Sequence, residues 1–134
     1  MPGWVTEAYE DYTRRMRKDM RVDLEEIQVR SKVDEEKRLL ERIGDDHLVA
    51  LDEHGKSLTT LQLAKWLAER QQDGRNLTFA IGGPDGLGAA ILARSAMRWS
   101  LSALTFPHAM VRVILAEQLY RAHSVLQNHP YHRE

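Results

Sequence analysis

The stretch NLTFAIGGPDGLG, residues 76–88, joins a short apolar segment directly to a glycine-rich loop. Glycines at the end of a strand let backbone amides approach a ligand without an intervening side chain. The loop lacks the Gly-Lys-Ser/Thr of a Walker A motif and also lacks the GxGxxG dinucleotide fingerprint. Two interpretations stay open on these residues alone: a tight strand-to-helix connection, or a backbone-lined pocket for a nucleoside or a cofactor.

Hydrophobic periodicity predicts helices that alternate with short strands on both sides of this loop. The predicted strands are 21–29, 47–51, 76–81 and 99–101, and the predicted helices begin near residues 2, 32, 60, 89 and 108. This alternation is typical of a parallel sheet with helices on both faces, and the length of 134 residues fits a single domain over 1–134. Ligands of such sheets bind at the carboxyl ends of the strands, so we expect the loops after Leu51, Ile81 and Leu101 to lie together.

The composition excludes several classes of protein. The chain has no cysteine, which removes disulfides and thiolate metal sites and suits a reducing compartment. No apolar run approaches the roughly 20 residues that span a bilayer, and the first residues lack an apolar secretory core. We therefore predict a cytoplasmic protein. The formal net charge of −1 gives no global field that would attract nucleic acid.

The basic residues are nevertheless concentrated near the N-terminus. Fourteen of the nineteen cations are arginines, and arginine suits phosphate because it donates two parallel hydrogen bonds. The cluster consists of Arg14, Arg15, Arg17, Lys18 and Arg21. These residues are either a phosphate-binding surface or simply a solvated helix end.

Two further stretches carry polar groups that suit a site. In WSLSALTFPH (99–108) the hydroxyls of Ser100, Ser102 and Thr105 could hydrogen-bond a ligand, although a strand followed by a helix cap explains the same residues. The terminus HPYHRE (129–134) contains two histidines, but its proline forbids a regular helix and no spacing supports a zinc site. A solvated tail is the alternative. No GxSxG or SxxK motif is present, which disfavours a hydrolase.

Taken together, four stretches resemble the ribosomal large subunit methyltransferase H family of the SPOUT superfamily. They are IGGPDGLG (81–88), WSLSALTFPH (99–108), VRVILAEQLYRA (111–122) and NHPYHRE (128–134). The resemblance implies a parallel α/β fold with a deep C-terminal trefoil knot, a homodimer, and S-adenosyl-L-methionine as the cofactor. It also implies methylation of N3 of a pseudouridine in the decoding-site stem-loop of 23S rRNA on the assembled ribosome.

The resemblance also assigns site residues. The family's cofactor contacts fall on Leu51, Gly82, Leu101, Ser102, Ala103, Leu104, Thr105 and Phe106. The terminal residues that match the substrate side of the family are His129, Tyr131, His132 and Arg133. Either histidine suits removal of the ring proton of the base, and arginine suits a phosphate or a developing oxyanion. Tyr131 either stacks on an unstacked base or packs within the knot. The basic cluster is expected to hold rRNA phosphates.

Two departures from the family pattern keep a second function open. Family members begin with an apolar strand ahead of a Met-Pro-x-Trp motif, whereas this chain starts at Met1-Pro2, so the first strand is expected to be missing. The segment between Val29 and Asp34 is also short where the family carries a basic, glycine-containing loop. The alternative is a catalytically impaired knotted module for cofactor binding or dimerisation. An unrelated nucleotide-binding α/β protein is a third, more distant possibility.

Overall fold

The computed structural model describes residues 3–16, 20–27, 31–82 and 86–128. Over these ranges it contains five helices and three strands. In chain order they are α1 (Gly3–Met16), α2 (Lys32–Ile43), β1 (His47–Ser57), α3 (Thr60–Gln71), β2 (Leu77–Ile81), α4 (Ala89–Arg94), β3 (Met97–Ser100) and α5 (His108–Leu126). No helix in the described ranges is long and apolar enough to cross a membrane.

The chain divides into two compact units. The first comprises residues 1–24, 58–69 and 105–134, and the second comprises residues 25–57 and 70–104. The second unit holds the sheet, in which the three strands lie in the order β2-β1-β3 and both pairings are parallel. The predicted α/β class with a parallel sheet is therefore confirmed.

The core of the second unit forms where helices α2 and α4 meet the sheet. Ile43, Leu48, Ala80 and Ile91 are buried together, and Leu39 packs against them. The spacing of Leu39 and Ile43 places both side chains on one face of α2. Burial of a large aliphatic side chain of this kind contributes about 1.5–3 kcal/mol, so this face fixes α2 on the sheet.

The other two apolar residues of α2 do not join this core. Val33 is 79% exposed and Leu40 is 36% exposed. They are seven residues apart, so they share a different face of the helix from the buried pair. The apolar residues of α2 therefore lie on two faces of the helix, of which only one is packed on the sheet.

Helices α1 and α5 contact each other in the first unit. The rings of Tyr12 and Tyr120 lie 6.0 Å apart at 41°. The guanidinium of Arg15 lies 6.0 Å from the Tyr12 ring and 5.6 Å from the Tyr120 ring.

Helix α3 begins with a capping box, since Gln62 N donates to Thr59 Oγ1 at 3.1 Å and Thr59 N donates to Gln62 Oε1 at 2.9 Å. Thr59 is therefore the N-cap of α3.

The predicted strand at 21–29 is wrong for residues 21–27, which form no strand. Residues 28 and 29 lie outside the described ranges. Val22 and Leu24 are half-buried between exposed charged residues, so the alternation that suggested a strand is present. A strand also needs a neighbouring strand to complete its hydrogen bonds, and the described part of the chain supplies none for this segment.

Candidate functional site

The two outer strands of the sheet end beside β1. Leu51 of β1 is paired with Ile81 of β2 on one side and with Trp99 of β3 on the other. The segment that begins at Gly82 therefore leaves the sheet beside Leu51, and Ser100, the last residue of β3, is paired with Ser57. Leu51, Ile81 and the end of β3 are neighbours, as the sequence predicted, but no loop follows Leu51, because β1 continues to Ser57.

Gly82 opens the glycine loop and lies against the loop's own returning backbone. A Cβ atom at this position would lie 2.5 Å from the carbonyl carbon of Gly86 and 2.7 Å from the amide nitrogen of Leu87. Gly86 has a positive φ of 75°, a conformation that favours glycine. Residues 83–85 lie outside the described ranges. Glycine at position 82 is thus required by the tight closure of the loop on itself.

The sequence predicted that this strand ends at Leu51, but β1 continues to Ser57. It leaves the sheet at Asp52 and returns at Lys56, so Leu51 and Lys56 both pair with Trp99. The four residues between them, 52–55, form a bulge-like excursion within β1. Gly55 permits the return, because a Cβ there would lie 2.7 Å from both the carbonyl carbon and the carbonyl oxygen of Arg98.

The serine hydroxyls after β3 bond within their own loop. Ser100 Oγ donates to the carbonyl oxygen of Ser102 at 2.8 Å, and the Leu104 amide donates to Ser102 Oγ at 3.0 Å. These bonds bend the chain into a compact turn and hold it at the edge of the sheet. The two hydroxyls therefore shape this loop.

The remaining residues of the predicted cofactor run differ in exposure. Leu101 is half-buried, whereas Ala103 and Leu104 are exposed. Thr105 is exposed and Phe106 is half-buried, and both belong to the unit that contains α5. The sheet edge thus gathers Leu51, Gly82 and the start of this run.

The described arginines of the basic cluster are paired with acids of their own segments. Asp11 lies 3.4 Å from Arg14 and 3.1 Å from Arg15, and Asp23 lies 3.0 Å from Arg21. These pairs are exposed, and such pairs contribute only about 0–1 kcal/mol. The other two members, Arg17 and Lys18, lie outside the described ranges. So do the terminal candidates, which are His129, Tyr131, His132 and Arg133.

The groups at the carboxyl edge fit S-adenosyl-L-methionine in chemical type. Gly82 brings backbone close to the edge without a side chain, and Leu51 and Leu101 are half-buried apolar residues of the kind that suits a purine. Asp52 adds a half-buried carboxylate that suits hydroxyl donors and a cationic ligand. Within the described ranges, no group of three histidine, cysteine, aspartate or glutamate side chains is placed to hold a metal ion.

Sequence reasoning missed the excursion and its two informative residues. It ended strand β1 at residue 51. Gly55 was the available signal, because a single glycine beside a strand pattern indicates a bulge or a close backbone approach. Asp52 had no such signal, since its position depends on where β1 leaves the sheet.

The sequence of this chain is similar to that of proteins of a single family. A family model described as predicted SPOUT methyltransferase matches residues 1–132. A protein of Methylobacillus flagellatus named ribosomal RNA large subunit methyltransferase H is 48% identical over 144 residues, covering 100% of this chain and 93% of the relative. Proteins of the same name from Alkalilimnicola ehrlichii and Hahella chejuensis are 50% and 46% identical, and the matches cover 92% and 93% of their lengths and 99% and 100% of this chain.

Proposed function

We propose that this chain, which belongs to the SPOUT methyltransferase family, is an S-adenosylmethionine-dependent rRNA methyltransferase. Its proposed target is N3 of a pseudouridine in the decoding-site stem-loop of 23S rRNA on the assembled ribosome. The observation that carries this proposal is the pairing of Leu51 with both Ile81 and Trp99, beside which the family's cofactor residues fall. The names of the full-length relatives support rRNA as the substrate class.

The cofactor is proposed to lie at the carboxyl edge of the sheet. Leu51, Gly82 and residues 101–106 would contact it, with backbone amides as the main donors, since the Ser100 hydroxyl already donates to the Ser102 carbonyl. When bound, the cofactor supplies a methyl group already activated on a sulfonium. The contribution of the chain is then alignment of that group with the base.

The terminal residues are proposed to act on the base. N3 of the target carries a proton that must leave as the new nitrogen–carbon bond forms. His129 or His132 would accept this proton, because the ordinary pKa of histidine lies near neutrality. Arg133 would hold a phosphate or the developing oxyanion, and Tyr131 would stack on the base. The methyl leaves the sulfur as S-adenosylhomocysteine forms, so charge and atoms balance.

The family also supplies proposals about assembly. We infer a single SPOUT domain over 1–134, a C-terminal trefoil knot that brings the terminus to the cofactor, a homodimer, and a cytoplasmic location. The basic cluster would hold rRNA phosphates, with Arg14 and Arg21 the more available of its described members because they are 64% and 81% exposed.

One observation favours a second candidate function. The match to the Methylobacillus relative spans 144 residues although this chain has 134, so at least ten positions of the relative have no counterpart here. A shortened rRNA-binding segment, as expected between Val29 and Asp34, would leave cofactor binding intact and weaken methylation. The chain would then be a catalytically impaired knotted module for cofactor binding or dimerisation.

The deciding experiment supplies this exact chain with labelled S-adenosylmethionine and ribosomes from a strain that lacks the modification. Label at the pseudouridine of the decoding stem-loop supports the proposal, whereas label elsewhere or none contradicts it. Cofactor binding is measured in parallel by calorimetry. Binding without methyl transfer supports the knotted module instead.

Variants of the terminus then test the assignment of roles. His132→Ala and Arg133→Ala should each lower methyl transfer by at least about tenfold while changing cofactor affinity little. His129→Ala identifies which histidine takes the proton. Gln127→Ala is the matched control, because this exposed residue lies just before the terminus and has no proposed role.

A further inference from the structure

We propose that Asp52 is the ribose-recognition residue of the cofactor site, accepting hydrogen bonds from the ribose hydroxyls of S-adenosylmethionine. This inference rests on the proposed function and adds a specificity-determining residue to the same site. The family contacts that the resemblance assigns do not include Asp52.

The position of Asp52 is the first argument. It follows Leu51 directly, and Leu51 is paired with both neighbouring strands. Because β1 is the middle strand, Asp52 follows a residue that has the end of β2 on one side and Trp99 of β3 on the other. A ligand at the carboxyl edge of a parallel sheet lies in this place.

The second argument is that the neighbouring serine hydroxyls offer few acceptor sites to a ligand. Ser100 is buried and its hydroxyl donates to the carbonyl oxygen of Ser102, and the Ser102 hydroxyl already accepts from the Leu104 amide. Two ribose hydroxyls brought to this edge need acceptors, because a buried donor without a partner costs about 1–3 kcal/mol. Asp52 supplies a carboxylate with several lone-pair sites, and it accepts without needing a proton of its own.

The third argument is that the carboxylate is already oriented. The amide of His54 donates to Asp52 Oδ1 at 3.2 Å, which ties the side chain to its own turn. Asp52 is half-buried, whereas the side chain of neighbouring Glu53 is 61% exposed. An oriented, partly desolvated acceptor loses less entropy when it binds a ligand. Dinucleotide-binding sheets use an acidic side chain on the ribose in the same way.

The test compares Asp52→Asn with Glu53→Gln. Asparagine can still accept from the His54 amide, so the turn is kept while the charge is lost. We expect Asp52→Asn to weaken the binding of S-adenosylmethionine and of S-adenosylhomocysteine by the same factor, about tenfold or more, because both ligands carry the same ribose. Glu53→Gln should leave both affinities within about twofold. Circular dichroism and thermal unfolding check that both variants fold.

A second ligand makes the assignment specific to the ribose. The 2′,3′-dideoxy analogue of S-adenosylhomocysteine should bind wild type and Asp52→Asn equally, because it lacks the hydroxyls that Asp52 accepts. If Asp52→Asn does not fold, the ratio of affinities of wild type for S-adenosylhomocysteine and this analogue still tests ribose recognition, with Asp52→Ser as the second variant.

Three outcomes overturn the inference. Unchanged affinity in Asp52→Asn overturns it alone and leaves the proposed function standing. A loss confined to S-adenosylmethionine overturns it as well, because the carboxylate would then face the sulfonium. Wild-type protein that binds neither ligand overturns both this inference and the proposed function.

Discussion

Gly82 lies so close to the backbone of Gly86 that a Cβ atom at position 82 would stand 2.5 Å from the Gly86 carbonyl carbon. Backbone atoms cannot rotate away as a side chain can. We therefore expect Gly82→Ala to open the glycine loop, to lower the free energy of unfolding by about 1–3 kcal/mol, and to weaken cofactor binding. Urea unfolding and calorimetry with S-adenosylmethionine measure the two effects.

Gly88→Ala is the matched control for this change. A Cβ at position 88 would meet only the side chain of Glu36, which can rotate towards solvent. We expect a smaller loss of stability, below about 1 kcal/mol. Equal losses in the two variants would contradict the view that closure of the loop backbone is what requires glycine at position 82.

His47 and Asp73 join the start of β1 to the turn after α3. The ring Nε2 of buried His47 lies 2.5 Å from Asp73 Oδ2, and the amide of Arg75 donates to Asp73 Oδ1 at 3.0 Å. The Arg75 amide first, and then His47, hold the pKa of Asp73 below its usual value. As the pH falls, the Asp73 carboxylate is therefore protonated in the unfolded chain before it is protonated in the folded chain.

The stability that Asp73 contributes is accordingly present above its usual pKa of about 4 and is lost as the pH falls through the lowered pKa of the folded chain. We expect Asp73→Asn to lower stability at neutral pH and to flatten the dependence of unfolding free energy on pH below about 5. Urea unfolding at a series of pH values measures both. Asp45→Asn is the control, because the side chain of Arg75 donates to the backbone carbonyl of Asp45, which this substitution keeps. A profile for Asp73→Asn that matched wild type would contradict this role.

The sequence predicted those parts of the fold that depend on local pattern. The apolar runs at 47–51 and 77–81 are strands, because a short apolar run marks a buried strand from a few neighbouring residues alone. The meeting of Leu51 with Ile81 and Trp99 was also predictable, since parallel strands end at one edge.

The features that depend on distant partners were not predictable. Val22 and Leu24 alternate correctly, yet no described strand lies beside them. The excursion from Asp52 to Gly55 depends on the register that Trp99 imposes on β1. The hydrophobic period and the strand propensity of a segment do not specify which strand lies beside it. Both features could therefore be seen only in the tertiary structure.

Arg15 differs from Arg14 although the two residues are adjacent and share Asp11. The guanidinium of Arg15 lies within 6.0 Å of the rings of Tyr12 and Tyr120, so it also links α1 to α5. We expect Arg15→Gln to lower the free energy of unfolding by about 0.5–1 kcal/mol through loss of the cation–π contacts. Arg14→Gln should change it by less than about 0.5 kcal/mol. Urea unfolding of the two variants makes the comparison, and equal values would contradict the linking role of Arg15.

Tyr9 and Asp23 provide a test in the alkaline range. Burial, and then the negative charge of Asp23, raise the pKa of Tyr9 to about 12. Because the folded chain holds this proton more tightly, stability should fall as the pH rises from about 10, the usual pKa of tyrosine, to 12. Tyr9→Phe should flatten that decline and remove the tyrosinate absorbance that appears near pH 12 in a rapid pH-jump titration. Asp23→Asn should move the same absorbance to lower pH, and Asp11→Asn should leave it in place. An unchanged titration in Asp23→Asn would mean that burial alone raises the pKa of Tyr9.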